Sequence, residues 1–366
     1  MHILVFIVIL AILVLIHELG HFIAAKKQGI MVEEFGFGFP PRVWSIKYGE
    51  TTYSLNLLPI GGFVKVYGEE YHEEDSHVDP KLRDRAFVSK KPWQKAIVIV
   101  AGVVMNFLLA WVLISYLFTQ GVPTPSNHVI VDGVTKESPA AAAGLRTGDI
   151  IVQITNDKTT HSVKKTEDLI KYSREFAGRP VVFVIERAGQ PMQRIITPRA
   201  NPPKGEGALG ISVTSFIERK YPWYEAPIYG LGHSFAISGA IASELGKTVV
   251  KLVQGQGANV DVAGPVGIAQ YTGTAIKFGQ NAVLELMALL SLNLAIINIL
   301  PFPALDGGRL VFIIYEWVTK RQVNKKFEQN VNMAGMIMLL SLAAIITVHD
   351  VLQLQSFQSL MRSLFQ

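Results

Sequence analysis

Ile3-Leu4-Val5-Phe6-Ile7-Val8-Ile9-Leu10-Ala11-Ile12-Leu13-Val14-Leu15-Ile16-His17-Glu18-Leu19-Gly20-His21-Phe22-Ile23-Ala24-Ala25 stands near the start of the chain. These 23 residues hold no Lys, Arg or Asp. At a helical rise of ~1.5 Å per residue they are long enough to cross a hydrocarbon core of ~30 Å. A secretory signal peptide is the competing reading. It would need a basic leader and a small-residue cleavage site, whereas only His2 precedes the run within a turn and Lys26-Lys27 follow it. Residues 1–26 are therefore read as a retained transmembrane helix.

Inside that helix lies His17-Glu18-Leu19-Gly20-His21. A spacing of four puts both histidines on one helix face, about 6 Å apart along the axis. Their imidazoles can share one Zn²⁺, with Glu18 beside them as general base for a zinc-bound water. The pattern alone arises by chance in many sequences. Its depth changes the reading, because a charged residue at mid-membrane costs roughly 2.5–3.5 kcal/mol or more. A polar cluster that binds another helix is the plainer alternative.

Outward from this stretch, apolar runs at 96–118, 282–300 and 331–348 make three more spans. The composition agrees: 49% hydrophobic and 17% charged among 366 residues, where soluble chains carry ~25% charged residues. Intrinsic disorder is excluded by the apolar content. The absence of Cys excludes disulfides, Cys-ligated metals and a cysteine nucleophile. A net charge of +5 spread over so apolar a chain fits membrane topology better than nucleic acid, so no nucleic-acid partner is expected.

The loop 26–95 holds eleven Lys/Arg beside ten Asp/Glu, and Arg309, Lys320, Arg321, Lys325 and Lys326 follow the third span. Basic loops belong in the cytoplasm. Both termini and the segment between spans two and three then lie outside it. That segment contains short β-rich runs at 128–131, 150–155, 180–187, 192–197 and 208–214, with an amphipathic helix at 165–176. It reads as a compact domain over 127–215. Residues 222–256 show helical apolar spacing, as a helix on the membrane surface, one packed across the spans, or a soluble packing helix. Within the cytoplasmic loop, runs 43–48 and 52–57 joined by Gly49-Glu50 form a hairpin. The expected segments are thus 1–26 (first span), 27–94 (hairpin region), 95–119 (second span), 127–215, 222–256, 282–308 (third span with its polar motif) and 331–349 (fourth span).

A catalytic zinc needs a third protein ligand. Glu285, His349, Asp350 and Asp306 are the candidates at membrane depth. His17 lies ~21 Å below the outer end of its span, and Asp306 follows Glu285 by 21 residues on another inward-running span. Both fall in the cytoplasmic half, which favours Asp306. Asn293 and Asn298 sit in the third span, either as polar glue between helices or as amides gripping substrate. Pro301 and Pro303 break that helix. Irregular backbone at such depth is tolerated only beside protein or water, which suggests a wet cavity.

These motifs together resemble the site-2 protease family of intramembrane zinc metalloproteases, in particular its bacterial RseP-type branch. The likeness rests on residues 17–21, on residues 293–308, on Gly36-Phe37-Gly38, on residues 58–63, and on Gly264-Pro265-Val266-Gly267-Ile268. It implies His17, His21 and Asp306 as zinc ligands and Glu18 as base. It implies Asn298 and Asn293 near the substrate, with Pro301 and Pro303 in the same motif, and the hairpin with Gly36 and Gly38 as a strand template that extends a substrate helix. It also implies a PDZ domain in the outer segment, carried by residues 138–151, with Ala208-Leu209-Gly210-Ile211 as its carboxylate-binding loop. Some relatives carry two such domains; about 90 residues here hold one.

The resulting expectation is a polytopic α-helical membrane protein of four transmembrane helices, with a membrane-associated β-hairpin and an α/β PDZ domain inserted between helices two and three. It would sit in the bacterial inner membrane, PDZ domain outside, zinc in the cytoplasmic half. Its partners would be the bilayer, a single-span substrate of the anti-sigma-factor or signal-peptide-remnant type, and a peptide C-terminus or outer-domain ligand on the PDZ domain. A membrane-anchored PDZ adaptor with a vestigial metal site is opposed by the intact set of four polar residues. A transporter is opposed by the lack of an inverted repeat.

Overall fold

The computed structural model describes residues 2–69, 79, 81–156, 159–254 and 264–353. Parts of the expected segments 27–94, 127–215 and 222–256, at 70–78, 80, 157–158 and 255–256, lie outside the described residues. The chain divides into two units, one of Met1–Leu117 with Trp223–Gln366, the other of Phe118–Pro222.

In the first unit α1 (His2–Lys27) buries Ile9, Leu13, His17, Gly20, His21, Ala24 and Ala25. That three- and four-residue spacing makes one face, which turns to α2 (Pro92–Gln120). Gly20 lets the two helices close, because a Cβ there would overlap the Ala101 carbonyl. Ile9, Leu13 and Met287 with Leu109 and Leu113 form an apolar cluster joining α1, α2 and α7 (Gln280–Ile299). Among the described residues, the four helices long and apolar enough to cross a membrane are His2–Lys27, Pro92–Gln120, Gln280–Ile299 and Lys326–Leu352. Their outer faces expose Ile3, Leu4, Val8, Val104, Val112, Met336, Leu340 and Ile345, surface that suits hydrocarbon and would be a liability in water.

The segment 282–308, expected to hold the third span and its proline break, spans the end of one helix and the start of another. Helix α7 stops at Ile299, and α8 (Asp306–Thr319) begins at Asp306. Pro301 and Pro303 lack the N–H that a helix needs, and Ala304 adopts φ 70°. The fourth span is α9 (Lys325–Gln353). Asp350 on α9 accepts the Gly267 N–H at 2.8 Å, capping α6 (Pro265–Phe278). Asp350 is not among the donors grouped around His17, His21 and Asp306, and Glu285 is exposed on α7.

The sheet is richer than the expected hairpin. Its strands β1 (Val32–Tyr48) and β2 (Thr51–Val66) pair at Tyr48↔Thr51 through Trp44↔Leu55, as the turn chemistry predicts. The Phe35-Gly36-Phe37 stretch also joins: Gly36 faces Ser54 on one side and Phe63 on the other. Its end is tied down by Glu50, which takes ion pairs from Lys26 at 2.5 Å and Arg85 at 2.6 Å. Short 3-10 turns at Arg83–Arg85 and Phe87–Ser89 lead into α2.

Helix α5 (Ala226–Val253) belongs to the first unit and packs beside α2. Trp111 Nε1 donates to the Pro227 carbonyl at 2.8 Å, and the Phe107 and Phe235 rings lie 4.9 Å apart. Within the expected segment 222–256, α5 is thus a helix packed against a candidate span.

In the second unit β3 (Val122–Val134), β4 (Ile150–Thr155), β5 (Thr160–Ser162), β6 (Val181–Arg187), β7 (Gln190–Ile196) and β8 (Ile211–Arg219) form one antiparallel sheet. The order is β7-β6-β4-β3-β8, with β5 on β4. Helices α3 (Pro139–Ala142) and α4 (Thr166–Glu175) accompany it. Alternating residues Val181, Phe183 and Ile185 point into a core with Ile151, Ile154, Val129 and Leu169, the period-two pattern of a sheet buried on one face. Unit and sheet both exceed the expected 127–215, because β3 and β8 run on past Pro125 and Phe216.

Candidate metal centre

Helix geometry brings His17 and His21 together without help from the rest of the fold. Their ring centroids are 4.8 Å apart at 83°, and their Nε2 atoms are 3.2 Å apart. The tertiary fold adds Asp306. Its Oδ2 lies 3.1 Å from His17 Nε2 and 3.3 Å from His21 Nε2. The three donor atoms lie within 4.8 Å of one another, and both histidines are buried.

Asp306 reaches this position through a tight turn. Gly307 and Gly308 sit so close to the carbonyls of Ile299, Leu300 and Phe302 that any Cβ would overlap them. The Ala304 N–H donates to Asn332 Oδ1 of α9 at 3.3 Å, and Gly335 of α9 lies against Pro303. The prolines therefore shape the turn that presents the carboxylate.

His21 donates its Nδ1–H to the Val98 carbonyl at 2.8 Å. That bond selects the tautomer whose Nε2 is a bare lone pair. Asp306 Oδ2 is buried without a hydrogen-bond partner. Lone pairs converging in a dry pocket repel one another unless a cation sits among them. Two neutral imidazoles and one carboxylate suit Zn²⁺ and leave a position open.

Glu18 follows His17 on α1 and meets β2: a Cβ on Gly62 would stand 2.9 Å from Glu18 Cγ. Asn298 Nδ2 lies 3.4 Å from His17 Nε2. Asn293, five residues earlier on α7, makes no hydrogen bond to His17, Glu18, His21 or Asp306 among the described residues. Gly36 and Gly38 do not face Glu18. A Cβ on Gly36 would overlap the Phe63 ring, and Gly38 (φ 84°) lies against Leu58 and Asn56 within the sheet. Their absence of a side chain serves close packing within the sheet, and Gly62 is the sheet glycine that meets Glu18.

Sequence reasoning had Gly62 within the motif 58–63 but gave it no role, and it missed Val98, Gly102, Asn106 and Asn332. A Cβ on Gly102 would overlap His21 Nε2 and stand 2.7 Å from His17 Cε1. Asn106 had a legible signal, being a polar side chain in the middle of an apolar span. Gly102 and the Val98 carbonyl had none, since closeness between helices is not written in either one.

Two imidazoles and a carboxylate converging among apolar helices, with a second carboxylate alongside, are the donor set of a hydrolytic metalloenzyme embedded in a membrane. The chain matches peptidase family M50 over residues 5–342 and belongs to that family, the site-2 proteases. A protein of Clostridium perfringens is 35% identical over 345 residues, covering 93% of this chain and 95% of its own. The regulator of sigma-W protease RasP of Bacillus subtilis is 29% identical over 423 residues, covering 95% and 98%. Zinc metalloprotease RasP of Bacillus licheniformis is 30% identical over the same length, with the same coverage. The chain is a zinc metalloprotease of a bacterial membrane, and its cofactor is Zn²⁺.

Proposed function

We propose that this zinc protease cleaves single-span membrane proteins, of the anti-sigma-factor or signal-peptide-remnant type, within or near the transmembrane segment. The observation that carries the reading is the convergence of His17, His21 and Asp306 beside Glu18 on helices suited to hydrocarbon. The relative named regulator of sigma-W protease supports the choice of substrate.

His17, His21 and Asp306 hold the Zn²⁺. When bound, it supplies Lewis-acid polarisation of the scissile carbonyl and acidifies water. Glu18 accepts a proton from the attacking water and returns it to the leaving amine. The Asn298 amide, at the rim of the donor set, donates to substrate backbone or to the developing oxyanion, and Asn293, on a different face of the same helix, contacts the substrate away from the metal. A helical peptide bond is screened by its own hydrogen bonds, so the β1–β2 sheet receives the unwound segment as an added strand. Gly62, lying against Glu18, supports that use of the sheet.

The 118–222 unit acts as a PDZ domain outside the cytoplasm, inserted between the second and third spans. Its edge strand β8 begins after Leu209-Gly210, beside a cavity of about 330 Å³ lined by Gly133, Thr135, Gly207 and Gly210. That cavity is where a peptide C-terminus or an outer-domain ligand would dock. The basic loops support a metal in the cytoplasmic half, with both termini outside.

Co-expression with candidate single-span substrates tests the reading, with fragments mapped by mass spectrometry. The wild type is expected to give a cut inside or beside the span and Glu18→Gln none, with zinc retained in both. Full cleavage by Glu18→Gln would remove Glu18 as the base.

A further inference from the structure

Val98, Gly102 and Asn106 repeat at four-residue steps on α2, so one face of that helix meets both imidazoles. The Val98 carbonyl takes the Nδ1–H of His21. Gly102 leaves the rings the room they occupy. Asn106 meets His17: its Nδ2 lies 3.4 Å from His17 Nδ1. Asn106 is wholly buried at 0% exposure, and its backbone carbonyl accepts from Ser291 Oγ at 2.8 Å, which holds this turn of α2 against α7. Its side-chain Oδ1 has no hydrogen-bond partner.

An amide oxygen orphaned in a dry site is destabilising, and the geometry shows what it lacks. His17 turns Nε2 toward His21 and Asp306. A metal there takes the Nε2 lone pair, which places the ring proton on Nδ1. That Nδ1–H is a donor, and the amide nitrogen facing it is another. A turn of about 180° at the end of the side chain exchanges the amide oxygen and nitrogen at no cost in shape. It sets Oδ1 opposite the proton.

We propose that Asn106 is the positioning residue for His17: its Oδ1 accepts the His17 Nδ1–H when Nε2 binds the metal. It does for His17 what the Val98 carbonyl does for His21, fixing tautomer and ring orientation and raising the basicity of the ligand. Helix α2 thereby supplies the outer support for both histidines while contributing no ligand. Asn106 itself touches neither substrate nor metal.

The inference rests on the metal-centre reading, and the test separates the two. Full-length protein in detergent is stripped of metal and titrated with Co²⁺, following the visible d–d bands, and with Zn²⁺ against a competing chelator. The near-isosteric Asn106→Leu is expected to bind both metals about 10–100-fold more weakly, with an altered Co²⁺ spectrum. Asn106→Asp, which restores an oxygen acceptor, is expected to bind at least as tightly as wild type. Cleavage of a model substrate should follow the same order at limiting zinc. Wild-type affinity in Asn106→Leu overturns the proposal, as does an Asn106→Asp protein as weak as Asn106→Leu. His17→Ala is the control. If it leaves metal binding unchanged, the metal-centre reading falls and this inference with it. If it abolishes binding while Asn106→Leu does not weaken it, only the role of Asn106 falls.

Discussion

Gly62 of β2 lies against Glu18 of α1, with Glu18 Cγ 2.9 Å and Val14 Cγ1 3.1 Å from where a Cβ on Gly62 would stand. The sheet and the zinc-motif helix touch here through a residue with no side chain. A valine at 62 would push either the strand or the glutamate aside, a few ångströms from the metal ligands. Gly62→Val is predicted to lower kcat/KM by at least about tenfold, the effect of ~1.4 kcal/mol of misplacement, with zinc content unchanged. Metal analysis beside a cleavage assay checks it; loss of zinc would show that the damage reaches the ligands instead.

Gly102 faces the two imidazoles so closely that no Cβ fits without moving a ring. Gly102→Leu is predicted to lower Zn²⁺ affinity by about tenfold or more, the scale of outer-shell damage at metal sites. The same change at Gly232 or Gly239 of α5, where a Cβ meets nothing within 4 Å, is expected to leave affinity unaltered. Chelator competition on the three proteins distinguishes a local effect from a general one.

The carboxylate of Asp306 depends on a turn that α9 supports. Asn332→Ala deprives the Ala304 N–H of its acceptor, a change of about 1 kcal/mol. The predicted result is a several-fold weaker Zn²⁺ affinity with the helices intact by circular dichroism. Asp306→Asn should weaken zinc binding far more, because it removes the negative donor; unchanged zinc in that variant would exclude Asp306 as a ligand.

In the 118–222 unit Asp149, 1% exposed, binds Arg187 Nε and Nη2 at 2.7 and 2.8 Å and accepts the Arg146 N–H at 2.8 Å. Burial pushes its carboxyl up, but the Arg187 hydrogen bonds, the Arg146 N–H and the arginine charges outweigh it and hold it below the usual carboxylate range. A depressed acid contributes stability above its unfolded value, ~3.9, and loses it as pH falls through the folded one. Asp149→Ala should cost this unit about 1–3 kcal/mol at pH 7, toward the low end because Arg187 keeps access to water. The gap from wild type should narrow below about pH 4. Hydrogen exchange of β4 and β6 in the full-length protein at pH 7 and pH 3 measures it; an equal gap at both would refute the assignment.

Periodicity and local chemistry made a large part of this protein legible. The four apolar spans, the pair of imidazoles one turn apart, the helix break at Pro301 and Pro303, and the alternating strands of the second unit all follow from interactions between residues near in sequence. Asp306 became the favoured third donor by a different route, depth arithmetic on two spans, which works because helix rise is constant. Contacts between distant segments lay beyond that reach. The folding of residues 34–37 between two other stretches of the sheet depends on pairing that no single strand encodes. Gly36, Gly38 and Gly62 are alike as glycines, and only the packed sheet decides that Gly62 meets Glu18 while the others accommodate neighbours inside the sheet. The tautomers of His17 and His21 are governed by Val98 and Asn106, residues 77 and 89 positions away from their partners. Chain-local forces determine which groups are available for the chemistry. The direction each group points, and the proton it carries, is decided by what the tertiary structure brings within hydrogen-bond range.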